Sequence, residues 1–222
     1  MEIEILKYIN NHLHSSNFFN YFFKVITIIS DNGYIWIALG LILLIFKKTR
    51  KAGFLTLMGA AATFVINSII LKMLFNRARP FTEATELATF INSIGLELPT
   101  SNSFPSGHAF SSFCCATILS LQLKKKWPLV YIFAFLVATS RVFLCVHYPT
   151  DVLAGIVIGS AVGVAIHFVM NYILKKLDEF ILKHRNKKDL VKATANEQVE
   201  SENKEPENST EEQIVKTDNN EE

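Results

Sequence analysis

A histidine and an aspartate four residues apart carry the first chemical signal in this sequence. His147 and Asp151 lie in the segment SRVFLCVHYPTD, where the carboxylate can reach the imidazole. A carboxylate that accepts the proton of one ring nitrogen leaves the other nitrogen free to attack, and it stabilises the cation that forms afterwards. Taken alone, the pair also suits a buried hydrogen bond at the start of a helix.

Three cations in two segments could bind an anion beside this histidine. Lys72 and Arg79 are seven positions apart in KMLFNRARP, so a continuous helix would place them on one face, and Arg141 precedes His147 by six residues. Taken alone, Lys72 and Arg79 also suit interfacial anchors that reach lipid headgroups. Arg77, between them, either adds positive field to the site or contacts headgroups.

The segment FPSGHAF predicts a helix start that can hold an anion. Pro105 suits the first turn of a helix, and Gly107 lets the backbone come close to a ligand. Free backbone N–H groups at a helix N-terminus attract anions, with Ser106 beside them, and His108 in the first turn could deliver a proton. Taken alone, the segment is also an ordinary junction between a loop and a helix.

The elements that must position these residues are apolar. Hydrophobic residues make up 50% of the 222-residue chain, and they cluster in stretches that approach the roughly 20 residues needed to cross a bilayer. The stretches are 18–29, 34–46, 53–71, 109–123, 128–146 and 152–174. We therefore expect an all-α, polytopic transmembrane bundle of five to six membrane helices. A charge at the centre of a bilayer costs about 2.5 to 3.5 kcal/mol, so charged groups at the ends of these stretches call for pairing or function.

Clusters of basic residues predict the orientation in the membrane. The cluster at 47–51 and the cluster at 124–126 mark cytoplasmic turns, which places the loop 76–105 and the candidate site outside the cytoplasm. The expected location is the plasma membrane, with several crossings. Nucleic-acid binding is a weak explanation for the cations, because they flank apolar stretches and suit anionic headgroups.

The chain is expected to divide into three parts. Residues 1–32 form interfacial or membrane helices, and 18–29 either crosses the membrane or lies in its outer interface. Residues 33–185 form the transmembrane domain. Residues 186–222 form a disordered cytoplasmic tail, since ten of the 20 acidic residues lie between 197 and 222 and aromatic residues are nearly absent there.

Neither a metal nor a cofactor is expected. The apolar part has no second carboxylate near Asp151, so a two-metal site is poorly supported. The cysteines all fall in apolar stretches and have no close His or Cys partners, which favours small packing residues over a disulfide framework or a zinc site. They are Cys114, Cys115 and Cys145. The lipid bilayer and a lipid substrate are the expected partners, with no obligate protein partner.

Together the three segments resemble the signature of the type-2 phosphatidic acid phosphatase superfamily. The patterns KxxxxxxRP, PSGH and SRxxxxxHxxxD occur in this order without a departure, and the resemblance covers about residues 34–174. It implies a helical bundle whose motifs meet at the outer membrane face. It also implies that phosphate is bound by Lys72, Arg79 and Arg141, with Ser106 and Gly107 completing the cradle, and that His147 is the nucleophile, Asp151 its orienting partner and His108 the general acid.

The residues and the resemblance predict the same reaction. Phosphoryl transfer needs in-line positioning and positive charge on the equatorial oxygens, which three cations and helix N–H groups supply. We expect a metal-independent phosphatase that hydrolyses a lipid phosphate or diphosphate through a phosphohistidine, with undecaprenyl diphosphate as the first candidate. Phosphatidylglycerophosphate and phosphatidate are alternatives. A lipid phosphotransferase using the same site, and a lipid-binding protein that kept the fold, also remain open.

Overall fold

The computed structural model describes residues 1–123 and 127–202, and over these residues the chain is all-helical, as the sequence predicts. A 3-10 turn, Asp31–Gly33, joins α2 to α3, and a π-helical segment, Val65–Leu71, joins α4 to α5. The helices are α1 (Glu2–Leu13), α2 (Asn17–Ile29), α3 (Tyr34–Ile45), α4 (Arg50–Phe64), α5 (Lys72–Leu74), α6 (Pro80–Glu83), α7 (Thr85–Ser93), α8 (Gly107–Leu123), α9 (Trp127–Phe143) and α10 (Pro149–Glu202).

Helix α8 lies at the centre of the bundle. Nearly every residue from Ala109 to Leu119 is buried, and α8 packs against both α4 and α9. Its hydroxyls bond within the bundle, as when Thr117 Oγ1 donates to the carbonyl oxygen of Phe113 at 2.7 Å. A helix that is buried on all sides has one fixed position, so its first turn, which carries His108, is held firmly.

Three glycines bring α10 into contact with the backbone of α8. A Cβ atom at Gly159 would lie 2.3 Å from the carbonyl oxygen of Phe110, and one at Gly163 would lie 2.6 Å from that of Cys114. Gly155, one turn earlier, faces the carbonyl oxygen of Ser106 in the same way. The four-residue repeat of glycines therefore acts in close helix packing, as its spacing indicates.

Two stretches of the described chain, Arg50–Leu74 and Pro149–Thr194, are long and apolar enough to cross a membrane. Helices α2 and α3 together make a third if the 43° bend between them falls within one crossing. The apolar part of α9, Pro128–Phe143, is shorter. The number of five to six membrane helices stays a prediction, and the lysine cluster at 124–126 lies outside the described residues.

The expected division of the chain at residues 32 and 185 stays a prediction. Residues 1–32 belong to the same compact unit as the helices that follow, Met1–Met170, and the second unit is Asn171–Glu222. Helix α10 continues past residue 186 to Glu202. The reason is local, since Ala, Glu, Gln and Lys are frequent there and favour helix even without tertiary packing. The rest of the expected tail, 203–222, lies outside the described residues.

All three cysteines are buried and none forms a disulfide. Cys115 Sγ lies 3.8 Å from the carbonyl oxygen of Thr56, and Cys145 Sγ lies 3.6 Å from that of Leu6. Both thiols thus fill space between neighbouring segments, as expected for packing residues.

Gly159→Ala is expected to destabilise the bundle by about 1 to 3 kcal/mol, because the added methyl group has no space against Phe110. The measurement is the thermal midpoint of the purified protein in detergent. Val157→Ala is the matched control, since the side chain of Val157 is 67% exposed on the same helix. Equal midpoints for the two variants would contradict the close approach of α8 and α10.

Candidate active site

A polar cavity of about 200 Å³ lies where α8 begins. Its wall is formed by the α2–α3 corner, the α4 and π-helical segments, the loop before α8 and the end of α9. Six of the eight residues that the sequence predicts for the site line it, namely Lys72, Arg79, Gly107, His108, Arg141 and His147. The structure therefore brings together side chains from all three sequence segments.

His147 lies between a carboxylate and a cation. Its Nδ1 atom is 3.4 Å from Asp151 Oδ2, and its Nε2 atom is 3.3 Å from Arg79 Nη1. The turn after α9 carries His147, which is only 2% exposed. Burial lowers the pKa of His147 well below its ordinary value, and the charges of Arg79 and Arg141 act in the same direction. The neutral ring can therefore offer the Nε2 lone pair on the cavity side.

Asp151 is fully buried and every side of its carboxylate has a partner. Oδ2 accepts hydrogen bonds from the Ser103 hydroxyl at 2.5 Å and from the Tyr148 backbone N–H at 3.0 Å. Oδ1 accepts from Arg77 Nη1 at 2.6 Å. Ser103 Oγ also lies 3.4 Å from His147 Nδ1, so the serine touches both members of the pair.

Arg77 lies behind Asp151 and does not line the cavity. Besides Asp151, its guanidinium donates to Glu2 Oε2 at 2.6 Å and to Thr150 Oγ1 at 2.7 Å, and it stacks on the ring of Tyr148 at 4.1 Å. The sequence left two roles open for Arg77, which were to add positive field to the phosphate site or to contact lipid headgroups. The structure instead pairs it with two carboxylates, which fixes the Asp151 side chain from the rear.

The three predicted phosphate ligands are held by oxygen atoms of the protein. Arg79 Nε donates to the Ser101 carbonyl oxygen at 2.7 Å, and Lys72 Nζ donates to Ser101 Oγ at 2.7 Å. Arg141 donates to Thr27 Oγ1, while its buried Nε has no hydrogen-bond partner among the described residues. Burial lowers the pKa of Arg79 to about 10, so this guanidinium is still charged at neutral pH. The cavity wall is therefore strongly cationic.

His108 faces a carboxylate that the sequence did not predict. Its Nε2 atom lies 3.6 Å from Asp31 Oδ1, and the ring also contacts the backbone of Thr27. Both partners come from the end of α2 and the turn that follows it. The predicted proton donor is thus held against the N-terminal part of the chain.

Of the two residues expected to complete the phosphate cradle, Gly107 lines the cavity and Ser106 does not. The space of a Cβ atom at Gly107 is filled by Asn67, whose Nδ2 atom would be 2.7 Å away, so a larger residue here would require the Asn67 side chain to move. Ser106 is fully buried and does not line the cavity. Its backbone N–H donates to the Asp151 carbonyl oxygen at 3.0 Å, so this N–H is already used within the protein. The expectation that Ser106 completes the phosphate cradle therefore finds no support in the cavity wall.

Several residues of the site were missed because their types are common in loops. Ser101 and Ser103 orient the cations and Asp151, yet serines before a helix usually signal only a turn. Their signal is the polar run TSNS, which directly precedes FPSGH. Asn67 carried a weaker signal, a polar residue inside an apolar stretch, and it lies in the π-helical segment.

Residues 51–175 match the family model of the PAP2 superfamily. An undecaprenyl-diphosphatase from Sulfolobus acidocaldarius is 35% identical over 152 residues, which are 67% of this chain and 70% of that protein. The chain belongs to the PAP2 superfamily. This confirms the resemblance that the three segments carry.

Further relatives of this PAP2 protein bear phosphatase names. A decaprenylphosphoryl-5-phosphoribose phosphatase from Mycobacterium tuberculosis is 31% identical over 136 residues, covering 60% of this chain and 71% of that protein. The crystal structure of a transmembrane PAP2-type phosphatidylglycerolphosphate phosphatase from Bacillus subtilis matches with a TM-score of 0.57 at 26% identity, covering 79% of this chain and 85% of that one. The predictions of a membrane protein and of a phosphatase are confirmed.

Arg77→Gln is expected to lower kcat by about tenfold, equivalent to about 1.4 kcal/mol, with little change in KM. Asp151 loses the partner of Oδ1, whereas the cavity wall keeps its cations. The measurement is steady-state phosphate release in detergent. Lys7→Gln is the control, since Lys7 pairs with Glu86 at 3.6 Å on the surface. A rise in KM without a fall in kcat would place Arg77 among the phosphate ligands instead.

Proposed function

We propose that this PAP2 protein hydrolyses a phosphate or diphosphate group of a membrane lipid through a phosphohistidine on His147. The observation that carries the proposal is the orientation of the His147 ring. Nδ1 faces Asp151, while Nε2 faces a cavity walled by cations. This is the arrangement that an imidazole nucleophile needs when it attacks an anion.

In the first step, His147 Nε2 attacks phosphorus. The bond between phosphorus and the leaving oxygen breaks as the P–N bond forms, and His108 gives a proton to the leaving oxygen. Lys72, Arg79 and Arg141 stabilise the charge on the equatorial oxygens. Asp151 holds the Nδ1–H of the imidazole and stabilises the positive charge that develops on the ring.

In the second step, water replaces the histidine. His108, now neutral, takes a proton from the water as the oxygen attacks phosphorus, and the P–N bond breaks. Inorganic phosphate is released and His147 returns to its neutral form. His108 therefore acts as an acid in the first step and as a base in the second, while His147 carries the phosphoryl group between them.

Undecaprenyl diphosphate is the first candidate substrate, and phosphatidylglycerophosphate and phosphatidate are the alternatives. The name of the Sulfolobus relative supports the first, and the name of the Bacillus structure supports a glycerophospholipid. The expected orientation of the chain in the membrane supports a lipid of the outer leaflet as the substrate. Lys72 lies at the opposite end of the stretch Arg50–Leu74 from the basic cluster at 47–51, and basic clusters favour the cytoplasmic side. We therefore expect the cavity to open away from the cytoplasm and the C-terminal tail to lie on the cytoplasmic side.

The test is phosphate release by the purified protein in detergent from each of these three lipids. Wild-type protein is expected to hydrolyse at least one of them, with EDTA present or absent. His147→Ala is expected to lose at least a thousandfold in kcat because it removes the nucleophile. His184→Ala, an exposed histidine of α10, is the matched control. No release from any of the three lipids by the wild type would refute the proposal.

A covalent intermediate distinguishes this route from direct attack by water. Brief reaction with radiolabelled lipid phosphate followed by alkaline quenching is expected to leave label on the wild-type protein, because phosphohistidine survives base. The label should be absent from His147→Ala. Label that persists in that variant would place the phosphoryl group on another residue.

A further inference from the structure

The corner between α2 and α3 supplies one wall of the cavity. Ser30, Asp31, Asn32 and Gly33 all line it, and Asn32 and Gly33 have positive φ angles of 47° and 74°. The corner lies outside residues 51–175, which match the family model. Among the described residues that line the cavity, Asp31 is the only acid.

Asp31 is placed to act on His108. Asp31 Oδ1 is 3.6 Å from His108 Nε2, and this buried nitrogen has no hydrogen-bond partner among the described residues. The backbone N–H of Asn32 donates to the same oxygen at 3.0 Å, which holds the carboxylate toward the histidine. The side chain of Asp31 is 57% exposed, so it stands at the opening of the cavity and not in its interior.

The other charges around His108 oppose a proton on its ring. Arg141 near the end of α9, Lys72 at the start of α5 and the neighbouring His147 all act against this proton, whereas the backbone of Thr27 favours it. A nearby cation disfavours the charged form of an imidazole, and a nearby carboxylate favours it. Asp31 is the carboxylate that pairs with His108 among the described residues, so it can balance the charge of a protonated ring.

The need for that proton depends on the leaving group. When a lipid phosphomonoester reacts, the P–O bond to the lipid breaks and an alkoxide leaves, which requires the proton of His108 as the P–N bond to His147 forms. When a lipid diphosphate reacts, the lipid phosphate leaves as a stable anion and needs no proton. A carboxylate at the opening also repels this second phosphate group.

We propose that Asp31 is a specificity-determining residue that acts through His108 and raises the ratio of phosphomonoester to diphosphate hydrolysis. The proposal rests on the proposed function. The site then accepts both lipid phosphomonoesters and lipid diphosphates, and the carboxylate of Asp31 sets their relative rates of hydrolysis. Asp31 positions and charges the proton donor and makes no bond to the reacting atoms.

The test compares phytanyl phosphate with phytanyl diphosphate, which share one saturated tail and differ in the leaving group. The quantity is the ratio of kcat/KM for the monoester to that for the diphosphate, measured on one preparation so that the folded fraction cancels. Asp31→Asn keeps the acceptor oxygen for Asn32 but loses the charge, and it is expected to lower the ratio at least tenfold. Asp31→Glu keeps the negative charge and is expected to retain most of the wild-type ratio. Asp178→Asn changes an exposed carboxylate of α10 and is expected to leave the ratio unchanged.

A second comparison tests whether Asp31 acts through His108. In a His108→Ala background, Asp31→Asn is expected to change monoester hydrolysis less than threefold, because the group through which it acts is gone. Equal losses on both substrates in Asp31→Asn, or an undiminished effect in the His108→Ala background, overturn this proposal alone. Wild-type protein that releases phosphate from neither phytanyl lipid also overturns this proposal, whereas the proposed function is decided by the three lipids of its own test.

Discussion

The buried carboxylate of Asp151 is the group on which the rest of the site depends. An ionised carboxylate without partners inside a protein costs several kcal/mol, so a fully buried one must be satisfied on every side. Its partners come from segments far apart in sequence. Arg77 and Ser103 lie in the part of the chain between α5 and α8, and His147 and Tyr148 lie in the turn before α10. Satisfying this one charge therefore positions His147 and fixes which of its ring nitrogens faces the cavity.

Close helix packing and the chemistry of the site depend on the same contact. The glycines of α10 let its backbone reach that of α8, and this approach allows the backbone N–H of Ser106 to bond to the carbonyl oxygen of Asp151. The start of α8, which carries His108, is thereby held beside the start of α10. A shift between the two helices would separate His108 from His147, so packing far from the cavity controls its geometry.

The N-terminal 50 residues surround a site whose central residues lie in the family region. Glu2 pairs with Arg77 and accepts from Thr150, Thr27 accepts from Arg141, and Asp31 faces His108. None of these three N-terminal residues lies within residues 51–175. Members of a superfamily that share one reaction can differ in such surroundings, since contacts behind the reacting groups adjust their charge and access without replacing them.

The sequence by itself determined the helical class, the family and six of the residues that line the cavity. Charged side chains at the ends of apolar stretches are costly and therefore informative, which is why Lys72, Arg79, His108, Arg141 and His147 were found by type and spacing. Only the tertiary structure decided the partners of Arg77, the positions of Ser101 and Ser103, the carboxylate of Asp31 and the exclusion of Ser106 from the wall. Such side chains are ordinary in loops, and their roles arise from contacts between segments that no local pattern relates. The length of α10 also came only from the structure, because composition indicates whether a segment can bury a core but not whether an exposed helix continues.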